Sequence, residues 1–189
     1  GSGPIARYAN VRVQPGTAAF DFGPAPTTDA ASPGVVRAWA VSQAFVPPRE
    51  APAAVPAADV LGAFTRLATE PGGLLELHRH VALPRGSRAA AAVARLRVKA
   101  ASAGARAFDL GFSDRATVFL NGRPLFSGEA SYSFDNPRRE GLIEPAQARV
   151  WLPLAAGDNE LAVFVSDTFG GWGLMGRFPE PAGLEMDAR

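Results

Sequence analysis

The 189-residue chain has no cysteine, two histidines and two tyrosines. Without cysteine there are no disulfides or thiolate metal sites, and redox chemistry says nothing about compartment. Charge of one sign is missing too: 19 basic residues face 18 acidic ones, a net charge of +1. Nothing in that balance calls for a nucleic acid or an anionic membrane surface, and no Lys/Arg run exceeds Arg138-Arg139. No apolar run approaches the ~18 residues that a spanning helix needs, so membrane insertion is not expected. There is no leader-like segment, and Gly1-Ser2-Gly3 reads as a remnant of cloning that would follow removal of any natural leader. Strand-helix alternation is absent as well, which argues against a parallel α/β fold.

Apolar residues, by contrast, make up 47% of the chain, enough for one domain with a full core. The pattern centres on residues 105–127, ARAFDLGFSDRATVFLNGRPLFS. Phe108, Leu110 and Phe112 alternate with Ala107, Asp109 and Gly111, as in a strand with two unlike faces. Thr117 to Leu120 stops at Asn121-Gly122, the pair that most easily adopts the positive φ angles of a tight hairpin turn. Pro124 cannot donate a ladder hydrogen bond, so the return strand is expected at a sheet edge.

Further strands are expected at Tyr8–Val13, Val35–Val46, Leu74–Leu83, Ala92–Ala100, Arg149–Leu154, Leu161–Val165 and Leu174–Phe178. In Ala92–Ala100, Ala94, Leu96 and Val98 oppose Arg95, Arg97 and Lys99, the mark of one wet face. Residues 14–34, rich in Pro and Gly, read as a surface connector, and Pro47 to Ala58 as an extended polyproline-like segment. Val60, Leu61, Phe64, Leu67 and Ala68 have helical spacing, with Asp59 placed to cap. The expectation is an all-β protein: an antiparallel jelly-roll β-sandwich of about nine strands over residues 35–189, preceded by an irregular extension over 1–34. That extension is either the tail of a preceding domain or an added edge strand.

Two blocks, SDRATVFLNGRPLFSG and VWLPLAAGDNELAVFVSDTFGGWGL, resemble the galactose-binding-like jelly roll. More narrowly, they are similar to the sugar-binding domain at the amino end of family 2 glycoside hydrolases such as β-galactosidases and β-glucuronidases. The resemblance covers Leu74 to Phe178 and, loosely, Val35 to Val46. The opening RYANVRV more distantly resembles the closing strand of a concanavalin-like sandwich. It implies an accessory module beside a catalytic barrel, sometimes lending a residue to sugar binding. No catalytic residue carries over, because the acid and nucleophile of those enzymes belong to the barrel. An extracytoplasmic location would follow from a glycan-related role.

Several residues are candidates for chemistry. Tyr132, Phe134, Asn136, Arg138, Arg139 and Glu140 crowd the long loop 128–148 with the aromatic faces, amides and charges that carbohydrate recognition uses; the other reading is a loop pinned to the sandwich by its aromatics. Trp172, inside Phe169-Gly170-Gly171-Trp172-Gly173, either plugs the core or lies open and stacks on a sugar ring. Asp114, Asp158 and Asp167 are loop carboxylates able in type to hold a structural Ca²⁺, the one ion the sequence suggests; no other cofactor is expected. Glu76, His78 and His80, two apart on a strand, would share a face and could converge on a divalent metal. The cupin-like pattern that would complete such a site lacks its later histidine and nearby carboxylate. Ser113 is followed by Asp114 and Arg115, not the glycine that a nucleophile elbow needs two residues on. The leading reading is a non-catalytic carbohydrate-binding or accessory module, with a glycan ligand and a neighbouring catalytic domain as partners. The alternatives are an interdomain-packing module without ligand and a small metal-dependent enzyme using Glu76, His78 and His80.

Overall fold

A computed structural model describes residues 32–132 and 142–188. Within them lie eleven strands: β1 (Ala38–Val41), β2 (Thr65–Ala68), β3 (Leu74–Glu76), β4 (Ala90–Ala100), β5 (Gly104–Ser113), β6 (Arg115–Leu120), β7 (Arg123–Glu129), β8 (Ala148–Leu154), β9 (Gly157–Asp167), β10 (Gly173–Arg177) and β11 (Leu184–Asp187). One helical turn, α1 (Ala58–Leu61), and a 3₁₀ turn at Leu77–Arg79 complete the elements. All pairings are antiparallel. One sheet runs β2-β1-β4-β9-β6-β7, with β11 also beside β4; the other runs β3-β10-β5-β8. This is the two-sheet antiparallel sandwich expected from the sequence.

Alternation decides which residues line the space between the sheets. Ala94, Leu96 and Val98 of β4, Phe108, Leu110 and Phe112 of β5, and Leu161, Val163 and Val165 of β9 meet there around Trp39, Trp172 and Phe178. Each large apolar side chain so buried contributes roughly 1.5–3 kcal/mol. The Asn121-Gly122 turn has φ angles of 50° and 78° and joins β6 to β7, an edge strand with a register shift at Val118/Phe119 opposite Pro124.

A second, smaller core lies outside the larger sheet. Ala91, Val93, Phe119, Ala162 and Phe164 project outward and are covered by Phe45, Val55, Leu61 and Phe64. The proline-rich stretch therefore belongs to a strap across this sheet, and Leu61, which α1 presents to it, is fully buried.

Three expectations are corrected. The core strand proposed for Val35–Val46 is regular only over Ala38–Val41, with isolated bridges at Val35 and Phe45. The helical spacing over 59–68 becomes one turn, after which Thr65–Ala68 pairs with β1 and sets Leu67 opposite Trp39. The strand Leu74–Leu83 ends at Glu76, where Leu77 N–H donates to Trp172 O at 2.8 Å and the chain turns. Tyr8–Val13 lies outside the described residues.

Candidate functional site

At one end of the sandwich, β5, β6, β7 and β9 converge on Asp114, which is fully buried. Its Oδ2 accepts from Thr168 N (2.8 Å), Thr168 Oγ1 (2.7 Å) and Phe169 N (3.1 Å), and its Oδ1 from Ser113 Oγ (3.1 Å). Its backbone N–H donates to Ser166 O and its carbonyl accepts from Ala130 N. The carboxylate read from sequence as a ligand-binding or calcium residue is thus saturated by the protein's own loops. Trp172 is fully buried as well, its Nε1 donating to Val165 O at 3.2 Å. The core-plug reading holds for it, and the open, sugar-stacking reading does not.

The metal-site geometry expected of Glu76, His78 and His80 required one strand face, and the turn at Leu77 removes it. Glu76 pairs with Arg79 at 2.5 Å. His78 Nε2 lies 3.2 Å from Asp167 Oδ2, with its ring edge-on to Trp172 at 5.5 Å. His80 instead lines a separate cleft with Val81 and Leu83. For calcium, Asp114 and Asp167 are neighbours, but Asp158 stands at the opposite end of β9, paired with Arg97. Among the described residues no group of three His, Asp or Glu side chains is placed to hold a metal ion. Asp167 is 4% exposed, and its Oδ1 has no partner among the described residues. Burial pushes its carboxyl above the usual range and the Asp114 charge adds to this, while His78 and the Phe169 N–H work the other way. Tyr132 is exposed beyond the end of β7; Phe134, Asn136, Arg138, Arg139 and Glu140 lie outside the described residues.

The more open chemistry is on the outer face of the four-stranded sheet. In β8, Val150, Leu152 and Leu154 point to the core, so Arg149, Trp151 and Pro153 point outward. Trp151 is 63% exposed on an edge strand, opposite Ala107 of β5. One step along, Asp109 of β5 stands between Arg149 of β8 and Arg177 of β10. Arg149 grips Asp109 with two parallel bonds, Nε to Oδ1 at 2.6 Å and Nη2 to Oδ2 at 3.1 Å. That bond, and the charge behind it, raise the Arg149 pKa. Asp109 is buried while Arg149 is half exposed, so the pair stands fixed with one guanidinium edge in water.

Beside this row lies a cleft of about 170 Å³ lined by Asp109, Arg177, Met175, Val35, Pro145 and Ala146, among others. Its wall is the segment 142–147, held by Phe112 N–H donating to Gln147 Oε1 at 2.9 Å. Gly111 permits the close approach: a Cβ there would stand 2.2 Å from Glu144 O. Ala146, at φ 59°, turns the wall back into β8. Sequence reading passed over Trp151. The available signal was its parity in RVWLPL, which sets a tryptophan on the outward side of a strand whose alternate residues are Val and Leu.

The sequence matches no protein-family model and no curated protein. Among solved structures, the chain is similar to a family 35 carbohydrate binding module from an environmental isolate, at TM-score 0.38 and 22% identity over 58% of this chain and 77% of that one. It is also similar to β-glucosidase from Kluyveromyces marxianus, at TM-score 0.45 and 15% identity over 85% of this chain and 18% of that one. A third is a GH2 β-galacturonidase from Eisenbergiella tayi, at TM-score 0.42 and 16% identity over 75% of this chain and 23% of that one. The chain therefore spans less than a quarter of the length of either glycosidase.

Proposed function

We propose that the chain is a non-catalytic carbohydrate-binding module of a larger glycan-related protein, holding its ligand on the outer face of the four-stranded sheet. The observation that carries this reading is Trp151, an indole 63% exposed on a flat strand face beside a polar cleft. A pyranose ring has one face of aliphatic C–H groups, and an indole offers it a large apolar surface that loses little conformational freedom on binding. Ala107 and Pro153 flank the indole with short side chains, so a ring can lie flat. The Asp109–Arg149 pair presents fixed acceptors and donors one residue pair away, suited to ring hydroxyls. The cleft lining contains one carboxylate, Asp109, whereas general-acid glycoside hydrolysis uses a pair.

The test is a glycan array followed by calorimetric titration of the wild type and of Trp151→Ala. The expected result is a saturable glycan signal that falls at least about tenfold on losing the indole, as loss of a stacked ring contact implies. Thermal stability should be unchanged, because the side chain is exposed. No signal across the array would remove the reading and favour the other use of the same patch, packing against a neighbouring domain.

A further inference from the structure

We infer that the cleft beside Trp151 selects a sugar that carries a carboxylate, with Arg177 as the residue that reads it; this rests on the carbohydrate-binding reading above. Three charged side chains stand in the row across β10, β5 and β8: Arg177, Asp109 and Arg149. Asp109 and Arg149 satisfy each other bidentately, which leaves the Arg177 guanidinium as the uncompensated charge. Arg177 is exposed, lines the cleft, and makes no side-chain hydrogen bond or ion pair among the described residues. The rest of the lining offers no competing charge: Val35, Pro145, Ala146 and Met175 are apolar. A neutral glycan would leave that cation without a partner, whereas a carboxylate matches its planar fork with two parallel charge-assisted bonds.

The spacing fits the same ligand. Arg177 and Trp151 are separated by two strand spacings across the sheet and one residue pair along it, roughly 12 Å between Cα atoms. That is the span of two linked pyranose rings, one stacked on the indole and the next bringing its carboxylate to Arg177. The ligand is therefore an acidic disaccharide unit, in which the apolar contact supplies affinity and the guanidinium supplies selectivity.

The experiment compares hexuronic-acid disaccharides with the same sugars after reduction of the carboxyl to a hydroxymethyl, and with sulfated disaccharides of equal length. Titrations use the full chain, its Arg177→Gln and Arg177→Lys variants, and Trp151→Ala. The wild type should bind the acidic sugar about 10- to 100-fold more tightly than its reduced counterpart, the range expected of a charge-assisted contact. Arg177→Gln should collapse that ratio to about one without changing affinity for the reduced sugar, and Arg177→Lys should restore it in part. Raising salt should weaken only the acidic ligand. Equal binding of acidic and reduced sugars, or an unchanged ratio in Arg177→Gln, would overturn the inference while leaving the carbohydrate-binding reading intact. A preference for the sulfated sugar over the carboxylated one would overturn it too, by assigning another anion. No binding of any sugar by the wild type would overturn both. Because Arg177 and Trp151 are exposed, unchanged melting curves will show that the variants fold.

Discussion

The two ends of the sandwich are each tied by one buried polar side chain, and they are tied differently. At the short-turn end, Asn159 accepts from Ala155 N at 2.9 Å and Asn121 Nδ2 at 3.1 Å, and donates to Ala155 O and Gly157 O. Asn121 answers by accepting from Glu160 N. One neutral amide thereby joins the β8–β9 turn to the β6–β7 hairpin. At the long-loop end the same task falls to Asp114, an anion, with Asp167 buried beside it and His78 facing Asp167. An amide satisfies donors and acceptors alike and carries no charge to desolvate. A carboxylate accepts more strongly from N–H and O–H groups, but it repels any second buried acid. One end is accordingly indifferent to pH and the other is not.

Removing Asp114 should produce the largest effect. Asp114→Ala leaves the Thr168 and Phe169 donors without their acceptor and should lower the unfolding free energy by about 3 kcal/mol in urea titrations at neutral pH. A loss under about 1 kcal/mol would mean that the loop 168–172 finds other partners and that this end is not held as described. Asn159→Ala, at the neutral end, should cost less, about 2 kcal/mol, and by the same amount at pH 5 and pH 8. If that cost varied with pH, the contrast between the ends would fail. The smallest effect is expected from Asp167→Asn, and its sign depends on pH. Because the folded carboxyl holds its proton more tightly than the unfolded one, its contribution to stability is fully present below the ordinary aspartate pKa of 3.8 and is lost as pH rises through the raised folded value. The variant should therefore gain in melting temperature relative to the wild type as pH climbs through that window, and the gain should then level off. A gap that shrinks with rising pH would show that the His78 contact outweighs burial.

Much of the fold was legible because its signals are local. The alternation in β4 and β5 assigns faces one residue at a time, and Asn121-Gly122 and Pro124 act through their own backbone limits. Reading failed where a distant partner chose between local options. Residues 65–68 have helical spacing, yet they pair with β1, some 27 residues earlier, where Leu67 covers Trp39. The histidine pair looked like a strand face until Trp172, nearly a hundred residues on, supplied the acceptor for Leu77 N–H and drew His78 toward Asp167. The candidate site was hidden for the opposite reason: Trp151 is unremarked within a good strand, and its meaning lies in what Asp109 and Arg177 do on the adjacent strands.

The order of residues alone thus determined that this chain pairs strands, where it turns tightly, and which side of each long strand is wet, because these follow from side-chain parity and backbone dihedral limits. Only the tertiary structure decided which buried carboxylate ties loops, that the proline-rich stretch roofs a second core, and that an indole and an unpaired guanidinium share one open face. Those outcomes depend on contacts between residues tens of positions apart, and no local pattern encodes the distance between them in space.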